Sequence, residues 1–405
     1  MIKDNYKRIY SYLVLLLSLF VSLKLGENSS GGSKQDYYFT LQYILAFQES
    51  FTQGILLFLK NGELHFPYFY FFIALLNNFF GTSIVNYIYI FLSSFIPLVF
   101  YKILKIRFKK IKKNKLFIVS ILIFFSPYFR SSAVWITTDN IALLFFLLSV
   151  LFFWKTIYEN VTFKLFYSFL TILFIILASY SRHNYSIFWI IFMITFYKQL
   201  NVKLFIYLIF ISFLFSLPAL FYIYDFINYQ QNIRLYSDVT EENYFFNFIL
   251  INSFLFFYLT PFIINKNFFE MFKNRFKLIV LFTVGYIFLL VFIEHVTLSY
   301  GGGIFYKLSL YLDNVNILYI FSLLGMVYFI TIVNFKNINY ILFILLIFSY
   351  PVLIFQKYFD PLLIIVFFTL ISSDFIKNNI ANFNMKLVYT YFISFLVFSN
   401  WYYFL

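Results

Sequence analysis

The sequence predicts an all-α fold: a polytopic membrane protein of about thirteen transmembrane helices, with amphipathic surface helices in its first outside loop. Three observations carry that reading. Hydrophobic residues make up 63% of the chain and charged residues 11%; the mean hydropathy is +0.86; and the few charges are sorted by sign between alternate loops.

In chain order, nearly uncharged windows of about 17 to 22 residues fall at 9–26, 84–104, 115–130, 138–154, 165–181, 184–198, 203–224, 246–264, 278–294, 314–333, 338–355, 359–373 and 386–403. The first follows the basic "MIKDNYKR" and lacks a small-residue cleavage site, so it reads as a retained span. With the N-terminus cytoplasmic, 22 of the 30 basic residues lie on inside loops and 12 of the 16 acids lie outside. Eight of the inside cations crowd into "YKILKIRFKKIKKNK". This is a positive-inside pattern. The net charge of +14 is therefore a mark of topology; the lipid bilayer is the expected partner and nucleic acid is not.

The whole chain, 1–405, reads as one integral membrane domain, with a first outside loop at 27–83 and a second at 225–245. The first opens on the Gly/Ser-rich "GENSSGGSKQDYY" and continues in apolar-aromatic runs that suit helices lying along a membrane surface. The second, "IYDFINYQQNIRLYSDVTEENYF", is the most polar stretch of the chain. Cysteine is absent, which excludes disulfides, thiol nucleophiles and thiolate metal sites. The abundance of Phe (66), Tyr (37), Ile, Lys and Asn carries the imprint of an AT-rich genome and favours a bacterial source.

Under this topology the polar residues of interest gather on the outside face: Asp36, Glu49, His65, Arg130, Asp139, Arg182, His183, Glu294, His295, the "YGGG" of Tyr300 to Gly303, Lys357 and Asp360. Ionisable groups at span ends are costly unless they face a cavity or one another, or else reach the water interface. Asp36 is either a general base for an attacking hydroxyl or the cap of the helix that follows. Asp139, at the mouth of "ITTDNIALLFFLL", either positions a substrate hydroxyl or complements the helix dipole. Arg182, beside His183, offers a planar fork suited to phosphate, or snorkels to the interface. His65 precedes Pro67 in "ELHFPYFY", as a site-lining residue or a polar turn. Lys357 is placed to reach a lipid phosphate, and Asp360 is positioned to cap the helix after Pro361. P-loop, HExxH, GxSxG and metal-cluster signatures are all missing from the sequence.

Taken in order, an acid in a large first outside loop, then "HFPYFYFFIALLNNFFGTSIVNYIYIFLSSF", then "WITTDN", resembles the GT-C superfamily of membrane glycosyltransferases. The segment matches that family's His-Pro-Pro-leucine-tyrosine motif and following surface helix, with Phe66 in place of the first proline. "WITTDNIALLFFLL", "SRHNYSIFW" and "QKYFDPLLI" are similar to motifs of the alpha-1,2-glucosyltransferase of the N-glycan pathway and its bacterial relatives. Asp36 lacks the acidic neighbour found there, Arg182 is followed by His, and the proline of the last motif is displaced.

The resemblance implies a polyprenyl-phosphate sugar donor, a glycan or lipid-linked acceptor, and a site on the periplasmic or outer face of a bacterial inner membrane. It makes Asp36 the catalytic base and Asp139 an acceptor-binding or site-organising acid. Arg182 becomes a donor-phosphate ligand with Lys357 as a second, and His65 and His183 line the site. No cofactor is expected, and a divalent metal stays open because outside carboxylates can bind one without a recognisable spacing. A flippase or other transporter, which would place ionisable groups or broken helices near mid-membrane, and an oligosaccharide polymerase are the alternatives.

Overall fold

A computed structural model describes residues 2–61, 65–158, 163–236, 244–263, 266–291, 301–333, 342, 346 and 354–404. They form an all-helical structure, 86% helix, with no strand among the described residues. Glu294, His295, Tyr300, most of the window 338–355 and residues 237–243 of the polar second loop lie outside them. Residues 225–236 of that loop continue a long helix that begins at Val202.

The chain divides into two units, residues 1–233 with 392–405, and residues 234–391. The first opens with α1 (Ile2–Leu25). Leu13, Leu17 and Val21, spaced by four, turn outward from α1 with about half of their surface exposed. On the same helix Ser18 and Ser22 satisfy themselves on backbone carbonyls one turn back. A helix that turns such a row of apolar side chains outward and satisfies its serine hydroxyls on its own backbone is built for hydrocarbon as solvent.

The segment after α1 folds into α2 (Ser33–Glu49), α3 (Phe51–Asn61) and α4 (Tyr68–Phe80). The α2 and α4 helices join through stacked Tyr43 and Tyr70 rings, 5.2 Å between centroids, and through Phe47 against Phe71. Next come α5 (Thr82–Arg107) and α6 (Lys113–Ser120), which tightens into a 3-10 turn to Phe125. The α7 helix (Pro127–Val134) departs from α6 at a 63° bend. Ser126 makes the bend: its extended backbone leaves the helix, its Oγ accepts the Phe129 N–H at 3.0 Å, and Pro127 has no N–H to lose at the first position. The unit continues with α8 (Thr138–Tyr158), α9 (Lys164–Ser181), a 3-10 turn at 183–186, α10 (Ile187–Gln199) and α11 (Val202–Tyr236). The α8 and α9 helices pack side by side, with Phe152 stacked on Phe174 at 5.7 Å.

The second unit is centred on α12 (Tyr244–Ile263) and α16 (Asn316–Ile332). The α13 (Lys266–Asn274), α14 (Phe276–Leu290) and α15 (Gly303–Tyr311) helices come between them in sequence. A Cβ on Gly325 would fall 1.8 Å from the Asn252 carbonyl oxygen, so glycine is what lets α12 and α16 touch. The unit then adds α17 (Leu362–Thr369) and α18 (Asp374–Asn379). The final helix, α19 (Met385–Phe404), ends in the first unit.

Six described helices are long and apolar enough to cross a membrane, seven if the bent α6–α7 pair counts as one span. Other windows fall on shorter helices: 13 residues in α10, 15 in α14, 17 in α16 and 8 in α17. Together, the long apolar helices and their outward leucines and phenylalanines define an all-α integral membrane protein.

Candidate functional site

The loop between α7 and α8, residues 135–137, is the hinge of the site. Trp135 ends α7 by donating its N–H to the Ser131 carbonyl, and Thr138 begins α8. Between them Ile136 adopts φ 47°, a left-handed conformation that costs a β-branched residue about 1–3 kcal/mol. Ile136 is also buried, at 2% exposure, so the surrounding packing holds the strained turn in place.

Downstream of the hinge, Asp139 sits in the first turn of α8. Its Oδ2 accepts from the Thr137 hydroxyl at 2.9 Å and from Arg182 Nη2 at 2.9 Å. Arg182 is the extended residue that closes α9, so the ion pair ties the start of one helix to the end of the next. The Asp139 side chain keeps 19% of its surface exposed against 10% for Arg182. Behind them the Tyr89 hydroxyl, from α5, donates to the Thr137 carbonyl.

His183 follows Arg182 in the 3-10 turn. Burial, then the adjacent guanidinium charge, lowers its imidazole to about 4, so it is neutral at pH 7. His65 arrives from the other side: Phe66 donates its N–H to the Tyr180 carbonyl at 3.2 Å and stacks on the Tyr180 ring at 4.5 Å. The Tyr68 hydroxyl reaches the Leu177 carbonyl and the Ser181 hydroxyl. Residues 65–68 thus lie along the last turn of α9, and His65 comes to the same helix end as Arg182.

Asp36 lies in the first turn of α2, three residues after its start, with its N–H bonded to the Gly32 carbonyl at 2.9 Å. It is not the cap: Gly32 holds that position. The α2 helix docks against α7 and the hinge through Tyr37 and Tyr38, whose ring centroids lie 6.0 and 6.5 Å from that of Trp135. Four residues of chain, spanning at most about 14 Å, link Trp135 to Asp139.

Lys357 belongs to the second unit, in a 3-10 turn at 356–358, with its Nζ 5.3 Å from the Phe355 ring. Its neighbour Gln356 fixes the turn by accepting the Ile304 N–H and donating to the Tyr258 hydroxyl. Asp360 is buried at 5% exposure, and Pro361 rather than Asp360 precedes the first residue of α17, so the capping reading of Asp360 does not hold. No three His, Asp or Glu side chains converge to hold a metal among the described residues.

Sequence reasoning missed the anchor beneath this site. Glu27 and Arg130 form a buried ion pair at 3.0 Å. Arg130 Nε meets both Glu27 oxygens, at 3.0 and 3.1 Å, while Nη1 and Nη2 reach the Ser18 and Ser22 hydroxyls of α1. Ser29 donates to Glu27 Oε1, and the Glu27 carbonyl accepts the Trp135 indole N–H at 2.9 Å. Burial alone would raise the Glu27 carboxyl, but the Arg130 bonds and charge, with the serine hydroxyls, hold it below its usual range. The Ser18–Ser22 pair, four apart inside an apolar span, was the available signal.

Fold and site together define a class, an all-α membrane protein with a polar rim where helix ends meet. Compared with known proteins, the chain matches no family model, no curated protein and no solved structure.

Proposed function

We propose that this chain is a GT-C type glycosyltransferase that moves a sugar from a polyprenyl-phosphate donor to a lipid-linked or cell-envelope glycan acceptor. The observation that carries the reading is the Asp139–Arg182 pair at the junction of α8 and α9, with the His65 segment against the same helix end and the Asp36 helix against the hinge. In the proposed reaction Asp36 takes the proton of an acceptor hydroxyl, that oxygen bonds to the anomeric carbon, and the bond to the phosphate oxygen breaks. Arg182 neutralises the departing phosphate. Asp139 orients Arg182, and attack opposite the leaving group inverts the anomeric centre.

A second reading, a lipid-linked-sugar transporter, draws on the 63° break between α6 and α7, since discontinuous helices are a device of transporters. One assay separates the two. Radiolabelled sugar transfer from a panel of polyprenyl-phosphate sugars to lipid acceptors is measured in membranes holding wild type, Asp36→Asn or Arg182→Ala at matched expression. Transfer by wild type and its loss in both variants is the expected result. Movement of label across the bilayer without a new glycosidic bond would replace the transferase reading with the transporter one.

The topology proposed with this function puts the N-terminus in the cytoplasm of a bacterial inner membrane, counts thirteen crossings, and opens the site to the periplasm. A chain without native cysteine is a ready background for testing it. A cysteine at Lys34 should react with an impermeant maleimide added outside, and one at Lys110 only after the membrane is opened.

A further inference from the structure

We propose that Trp135, Tyr37 and Tyr38 form a stacking shelf for a pyranose ring, seating the acceptor sugar beside Asp36. The proposal rests on the transferase reading and names one of its subsites. Three observations carry it. The Trp135 indole N–H is committed to the Glu27 carbonyl at 2.9 Å, so the side chain is fixed in angle and presents its ring face. Tyr37 and Tyr38 flank that ring at 6.0 and 6.5 Å, tilted by about 50° to it, and Tyr38 is 57% exposed. Asp36 is the residue immediately before them, on the first turn of the same helix.

The chemistry of this group suits a sugar better than a lipid chain. A pyranose has one face of axial C–H bonds with slightly positive hydrogens, which the negative face of an aromatic ring attracts. Its hydroxyls meanwhile need polar neighbours at the rim. Lys34 and Asp36 supply them: the Lys34 ammonium already lies 5.5 Å from the Trp135 ring centre, on an exposed, flexible stem. A bound sugar would take the place of that ammonium over the ring, and the ammonium would turn to a hydroxyl. A hydrocarbon tail would leave both charges without a purpose.

The test uses the full chain in nanodiscs with Trp154, Trp189 and Trp401 changed to Phe, so that Trp135 is the single tryptophan of the four. Its emission is followed during titration with methyl glucoside, methyl mannoside and methyl N-acetylglucosaminide, with sorbitol as a polyol that lacks the apolar face. A saturable change with at least one pyranoside and none with sorbitol is expected. Tyr38→Ala, at a position 57% exposed, should weaken that response about three- to tenfold with the size-exclusion profile unchanged, and Tyr38→Phe should preserve it. No response to any pyranoside overturns the shelf, as does a response that Tyr38→Ala leaves unchanged. So does an emission that changes with lipid composition alone, which would assign the rings to the bilayer interface. Sugar transfer by the same preparation is measured in parallel. A pyranoside response without transfer keeps the shelf and removes the transferase; transfer without a response does the reverse.

Discussion

Two arginine–carboxylate pairs lie in the same unit, and they differ in surroundings more than in distance. Glu27–Arg130 closes at 3.0 Å and Asp139–Arg182 at 2.9 Å. The first is walled in: the Glu27 side chain is 8% exposed, both carboxylate oxygens meet the guanidinium, and α1 serines complete the shell. The second stands at a junction of helix ends with the Asp139 side chain 19% exposed. An enclosed, fully hydrogen-bonded pair fixes architecture, because nothing outside can reach it. A pair with an open carboxylate can answer a ligand. The same two residue types are thus an anchor in one place and a candidate site in the other.

The comparison breaks first at the anchor. Glu27→Ala leaves a guanidinium enclosed without its counter-charge, a loss of about 3–5 kcal/mol; the single size-exclusion peak in detergent should collapse. Arg182→Ala should cost less and leave that peak in place, because Asp139 keeps the Thr137 hydroxyl and 19% of its surface exposed, while transfer drops about a hundredfold. Arg182→Lys should recover only part of the transfer, since an ammonium lacks the planar fork. Equal damage to folding from the two substitutions would erase the distinction.

Acidity sharpens it further. His183 titrates near 4 in the folded chain against an ordinary 6.5, so the unfolded chain gains its proton first as pH falls. That stabilisation is complete above 6.5 and drains away between 6.5 and 4. The Glu27 carboxyl, held below its ordinary 4.5, contributes above that value and fails only as pH drops through the folded one. Melting temperature should therefore fall in two stages, and His183→Gln should flatten the upper stage alone. The smallest effect is expected at the hinge: Ile136→Gly relieves the left-handed strain but gives up a buried side chain. The net change in stability should stay within about 1 kcal/mol by thermal unfolding.

The helical fold class was legible because hydrocarbon imposes it: windows such as 138–154 and 246–264 reappear as α8 and α12. Window length was a poorer guide to crossing. Residues 359–373 read as a span, yet α17 is eight residues long and wholly buried, about 12 Å of helix. Asp139 and Arg182 were legible as charges where apolar runs end, but their pairing joins residues 43 apart. Glu27 vanished into a Gly/Ser-rich loop because its partner stands 103 positions away, and the Ser18–Ser22 pair on the preceding helix was the local hint. Ile136 gave no sign at all, since isoleucine is the last residue that local preference assigns to a left-handed turn.

The distance in sequence between Glu27 and Arg130 is also a distance in time. A ribosome adding about 5–20 residues per second delivers the arginine roughly 5–20 s after the glutamate. Asn400 of α19, which approaches Glu27 Oε1 at 3.4 Å, follows 373 residues after it. During that interval the carboxylate has to remain in water or be shielded by a helper protein, with α2 not yet seated on α7. Nascent chains halted before Arg130 should therefore be the ones that proteases and membrane chaperones capture.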